Sequence, residues 1–81
     1  MADFTKSITV ENEKTRFQVS KIYKRDGFKF FVKVLYKNVL IYFDMQRDKR
    51  GDWKIINPAP NWLIPLESEL ASVIKKNIHE P

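Results

Sequence analysis

This chain has no cysteine, a single histidine and only two glycines, and each scarcity closes a chemical route. Without cysteine there are no disulfides, no thiolate metal ligands and no cysteine nucleophile. Glycine at positions 27 and 51 alone leaves nothing from which to build a phosphate-cradling Gly-rich loop. The one histidine, His79, stands third from the end of the sequence, where fraying is expected and a metal ligand or general base is not. Long apolar runs are missing too. No stretch approaches the roughly 18 residues that span a bilayer, and residues 1–6 lack the apolar centre of a signal peptide. A cytoplasmic protein with no membrane partner is expected.

The remaining polar residues do not assemble into a reaction site. Ser7, Ser20, Ser68 and Ser72 have no neighbouring base or oxyanion motif. Glu11 and Glu13 flank a turn, and Asp48 and Asp52 alternate with Lys49 and Arg50, which is the pattern of solvated loop charge. The chain reads as non-enzymatic, with no catalytic residue, no cofactor and no metal site. Its 81 residues make one small α+β domain over 1–81, with a core thin enough that self-association would add useful stability. Fifteen Lys and Arg against ten Asp and Glu give a net charge of +5, which permits an acidic partner without naming one.

What the chain has in abundance is alternation. Phe28, Phe30, Val32, Val34 and Tyr36 share one face of a predicted strand, and Val39, Ile41, Phe43 and Met45 share one face of the next. The same period of two predicts strands over residues 7–10, 15–23, 28–36, 39–46 and 53–57. Turns fall at Asn12-Glu13, at Asp26-Gly27 (a type I′ signal), at Lys37-Asn38 and in the charged loop 47–52. Pairing Tyr36 with Val39 sets Val34 against Ile41, Val32 against Phe43 and Phe30 against Met45. Pairing Met45 with Trp53 and Arg25 with Phe28 keeps the remaining large apolar residues on that side. Lys21 is the exception, relieved by a bulge near residues 20–22 or by an edge position.

After Asn57 the period changes. Pro58, Ala59 and Pro60 form a stiff connector, and Trp62, Leu66, Leu70, Val73, Ile74 and Ile78 recur at helical spacing. Asn61 is a candidate N-cap, and a start nearer Pro65 is equally allowed. Trp53 and Trp62 read as core residues that clamp helix to sheet. The predicted fold is a five-stranded antiparallel β-meander followed by one C-terminal α-helix packed on one sheet face, βββββα.

The second sheet face is the anomaly. By parity it carries Phe31, Leu35, Leu40, Tyr42 and Ile56 among Lys29, Lys33 and Lys54, with Tyr42 expected beside Ile56. These eight residues are the candidate interaction face, because contiguous apolar surface marks an interaction site. Three readings share it. It is a solvent face whose hydrophobes lie under lysine stems, a protein interface such as a homodimer or a docking site, or a single-stranded nucleic-acid surface. In the last reading aromatics stack bases, while Lys29, Lys33, Lys37, Lys54, Arg16 and the Arg47, Lys49, Arg50 loop hold phosphates. Residues 1–6, with Phe4, are a candidate cover for part of the face. In element order over about residues 15–78 the chain resembles the single-stranded-DNA-binding cores of the Whirly transcription factors and of the transcriptional positive-cofactor family, which dimerise. That likeness is one of element order, with a fifth strand here and no residue motif accompanying it.

Overall fold

The computed structural model describes residues 3–56 and 59–78. The sequence readings of Asn57, Pro58, His79 and the Ile78 side chain lie outside the described residues. Alternation becomes five strands, β1 (Phe4–Val10), β2 (Glu13–Lys24), β3 (Gly27–Tyr36), β4 (Val39–Arg47) and β5 (Trp53–Ile55). All are antiparallel and paired in chain order. A 3-10 turn, Ile64–Leu66, leads into α1 (Glu67–Ile78), so the βββββα meander is the fold.

One sheet face is buried. Ile8, Val10, Phe17, Val19, Phe30, Val32, Val34, Phe43, Met45 and Trp53 form its core, roofed by Leu63, Leu70 and Ile74. Leu70 and Ile74 are one helical turn apart, which puts both on the stripe of α1 that meets the sheet. Glu67 and Glu69 in the first turn and Lys75 and Lys76 in the last complement the helix dipole. Trp53 is buried within the sheet, edge-on to Phe30 at 5.1 Å, and the half-buried Trp62, from the turn before the helix, stacks on Tyr36 at 4.2 Å and ties that turn to the sheet. Thr15 is the one buried polar residue among the described residues, and its hydroxyl donates to the Glu13 carbonyl at 3.1 Å.

Several local expectations are corrected. Leu63 is fully buried although the predicted stripe omitted it. The chain passes through a turn at residues 61–63, with the Leu63 N–H donating to the Pro60 carbonyl at 2.9 Å, before any helix begins. Asn61 is therefore no N-cap, and the start near Pro65 is the one adopted. The first turn is centred on Glu11-Asn12 rather than Asn12-Glu13. Glu11 and Asn12 (φ 49° and 66°) and Lys37 and Asn38 (φ 50° and 64°) are all left-handed, the dihedrals of type I′ hairpins. The Asp26-Gly27 signal, by contrast, does not make such a turn. Lys24 pairs with Gly27 across Arg25-Asp26, and Gly27 sits at φ 145°.

The β1–β2 register moves with its turn, so that Val10 faces Glu13, and two further registers move as well. Tyr23, not Arg25, faces Phe28, and Met45 faces Ile55 rather than Trp53. Each shift is by two residues, so every side chain keeps its face and the core is unaffected. Lys21 needs no bulge, since the β2–β3 ladder runs unbroken through it. It lies beyond the end of β1 pairing, and its ammonium sits 4.2 Å from the Phe28 ring centre. Phe4 is part of β1 and meets Phe30 at 6.3 Å on the core side, so it does not cover the second face.

Burial separates the two faces energetically. Leu63→Ala is expected to cost about 2–5 kcal/mol in urea-denaturation stability, whereas Leu35→Ala, at a side chain 59% exposed, should change it by no more than about 0.5 kcal/mol.

Candidate interaction face

The ladders bring the predicted residues together on the face away from α1. Phe31 faces Asp44, Lys33 faces Tyr42 and Leu35 faces Leu40 across the β3–β4 pair. Phe31 and Tyr42, diagonal neighbours in that ladder, stack at 5.5 Å with an interplanar angle of 21°. Leu35 is 59%, Tyr42 53%, Leu40 46% and Ile56 39% exposed, while Phe31 is half-buried between its neighbours. Ile22, at 40%, belongs to the same surface. Its even position on β2 gives it the parity of this face, yet the sequence-based patch omitted it. Ile56 is displaced from its expected place beside Tyr42. Its N–H donates to the Asp44 carbonyl at 2.9 Å, a consequence of the two-residue shift in β5.

The three rim lysines fare differently from one another. Lys29 donates to Asp44 at 2.9 Å, and both groups are largely shielded. Lys54 turns to the sheet edge, where its ammonium is 3.7 Å from Glu67. Lys33 is half-buried between Gln18 and Tyr42, and no carboxylate pairs with it among the described residues. Of the other cations expected to hold phosphates, Lys37 lies 3.7 Å from Glu11 at the hairpin end. Arg47 is on the opposite face, its guanidinium 5.1 Å from the Trp53 ring centre. Arg16 is exposed, on β2, and has no carboxylate partner among the described residues. Unpaired positive charge on this face is thus concentrated on the β2–β3 side.

A shallow groove of about 420 Å³ crosses the face, lined by Gln18, Ser20, Ile22, Phe31, Lys33 and Tyr42, with Asp3 and Lys21 at one end. Its floor is set by Ser20, a small side chain opposite the large Phe31 ring. At its open end β1 stops pairing at Phe4 and Val19, and the Asp3 carboxylate accepts the Lys21 backbone N–H.

Both sheet edges are protected. On β5 the Ile55 N–H donates to the Glu67 carboxylate at 2.8 Å, which occupies the free edge of a strand only three residues long. On β1, Lys6 takes the core-side parity yet is exposed, a charge placed where an added strand would bury it. Among the described residues, no three His, Asp or Glu side chains come together as a metal site, and no helix is long and apolar enough to cross a membrane. No protein-family model, curated protein or solved structure matches the chain, so the element-order likeness to the single-stranded-DNA-binding families has no structural match behind it.

The charged loop 47–52 is organised by one carboxylate. Asp48 accepts the backbone N–H groups of Arg50 and Asp52 through Oδ1, each at 2.9 Å, and its own N–H donates to the Asp52 carbonyl at 2.8 Å. The Asp52 amide above all, with the Arg50 amide and the Lys54 and Arg50 charges, holds the Asp48 carboxyl below its usual value. Since the folded value is the lower one, the loop gains stability above the unfolded value of about 3.9 and loses it as pH falls through the folded value. The Arg50 and Asp52 amide resonances should therefore stay put down to about pH 4 and move together below it. Asp48→Ala should remove that transition in the same NMR titration.

Proposed function

We propose that this protein is a small non-enzymatic binding module that engages a protein partner through its open sheet face. The observation that carries the reading is the exposure of Leu35, Tyr42, Leu40, Ile22 and Ile56 as one surface around the Phe31–Tyr42 stack, opposite the helix-covered face. Phe31, Leu35, Leu40, Tyr42 and Ile56 supply apolar contact, and Lys29, Lys33 and Lys54 stand at the rim. Solvated sheet faces carry scattered hydrophobes, but a contiguous set with a stacked aromatic pair at its centre is what a partner desolvates. The guarded edges support a face contact over strand addition.

Single-stranded nucleic acid is the second reading, favoured by unpaired Lys33 and Arg16 beside two aromatic rings. Against it, Lys29 and Lys54 already have carboxylate partners, and two aromatic rings are few for a base-stacking platform. Its mark would be oligonucleotide binding at this face that falls steeply as salt rises.

The test is amide-resolved NMR with small neutral fragments, phenol and isobutanol, added to labelled protein. Shifts should cluster in residues 18–22, 29–35 and 40–44. Phe31→Glu should abolish them while leaving amide dispersion intact, and uncharged Leu35→Ser should weaken them. Shifts scattered over the helix and loops, or unchanged in both variants, would overturn the reading.

A further inference from the structure

The charge of the open face constrains what lies on it. Of its acids, Asp44 is consumed by Lys29 at 2.9 Å, and Asp3, at the end of the groove, accepts the Lys21 backbone N–H. Lys14 and Arg16 on β2 and Lys33 on β3 share the face by parity, and none has a carboxylate partner among the described residues. The face therefore presents apolar area together with uncompensated positive charge. A second copy docked face to face would bring the same three unpaired cations against one groove-end carboxylate, Asp3, so like charges would still predominate across a desolvated contact. The apolar part is mostly aliphatic, Ile22, Leu35, Leu40 and Ile56, which suits protein side chains better than bases.

Resting on the interaction-face reading above, we infer that the occupant is an acidic polypeptide segment with an apolar anchor. Its anchor side chain sits in the groove over Ser20, against Phe31, Tyr42 and Ile22. Its flanking carboxylates meet Lys33 and Arg16 at the rim. The groove runs past the end of β1 pairing at Phe4, with Asp3 at its margin. Lys33 is suited to this because its stem packs beside Tyr42 while its ammonium keeps no internal acid. The Lys29–Asp44 pair beside it stays closed and contributes shape more than charge.

Labelled protein would be titrated at physiological salt with three probes. These are an acidic pentapeptide alternating Glu with Phe and Leu, its Lys-for-Glu counterpart, and a mixed single-stranded oligonucleotide. The acidic peptide should shift residues 18–22, 29–35 and 40–44 and bind roughly tenfold more tightly than the basic one. Lys33→Glu should erase that preference. Lys76→Glu, an equal change of net charge on exposed α1, should leave it within about twofold. The inference is overturned if the two peptides bind alike, if Lys76→Glu is as damaging as Lys33→Glu, if the oligonucleotide binds the face more tightly, or if the acidic peptide leaves the face silent. Neutral fragments that still gather on the face while the charge series is flat would leave the interaction face standing and remove only the acidic partner. Scattered fragments would remove both.

Discussion

One helix of twelve residues can cover only one side of a five-stranded sheet. This limit orders everything else in the molecule. The aromatic and branched side chains of β1 to β5 are gathered under α1, where Leu63, Leu70 and Ile74 complete the core. The other side is left to the surroundings, and its residues have to be compatible with water, with a partner, or with both in turn. The compromise is visible residue by residue. Phe31 is shielded by Tyr42 and its neighbours, Lys29 is neutralised by Asp44, and Leu35 and Leu40 are left open at the hairpin end.

Most of the architecture was legible because a period of two is hard to mistake. Alternation in the β3–β4 hairpin gives strand, face and, with a two-residue turn, register at once. Elsewhere it gives only the face. Met45 can pair with Trp53 or with Ile55 without moving one hydrophobe to the wrong side, and the choice belongs to the loop. There Asp48 gathers the amides of Arg50 and Asp52 and lengthens the connection. The Asp-Gly pair at 26–27 misled for the same reason, since turn preference is weaker than the ladder that follows it. Left-handed turns formed instead at Glu11-Asn12 and Lys37-Asn38, where asparagine tolerates a positive φ.

Legibility of the site stops at a similar boundary. Membership of the face follows from parity, but the Lys29–Asp44 contact was not anticipated, although the two lie diagonally in the β3–β4 ladder. The fate of Lys54 does not, because it depends on where Glu67 lands after the chain turns back at residues 61–66. Leu63 escaped for a related reason. Helical spacing was counted from Trp62, while the backbone there is a turn that sends Leu63 to the core and Trp62 to Tyr36. Charge pairing was thus the part of the surface hardest to foresee. It separates Lys29 and Lys54, which have carboxylate partners, from Lys33 and Arg16, which have none among the described residues.

The strict chain order of the strands has a kinetic corollary. Each strand pairs with the one just made, and two of the connections are two-residue left-handed turns, so the sheet can zip from local contacts without closing a long loop. The helix that roofs it follows all five strands in the chain. Until α1 docks, the side destined for the interior, with Phe17, Phe30, Phe43 and Trp53, is bare and is far more adhesive than the face that stays open. In this molecule the hazard of misassembly therefore belongs to the surface that the finished protein hides, and it lasts for as long as the final twelve-residue helix takes to arrive.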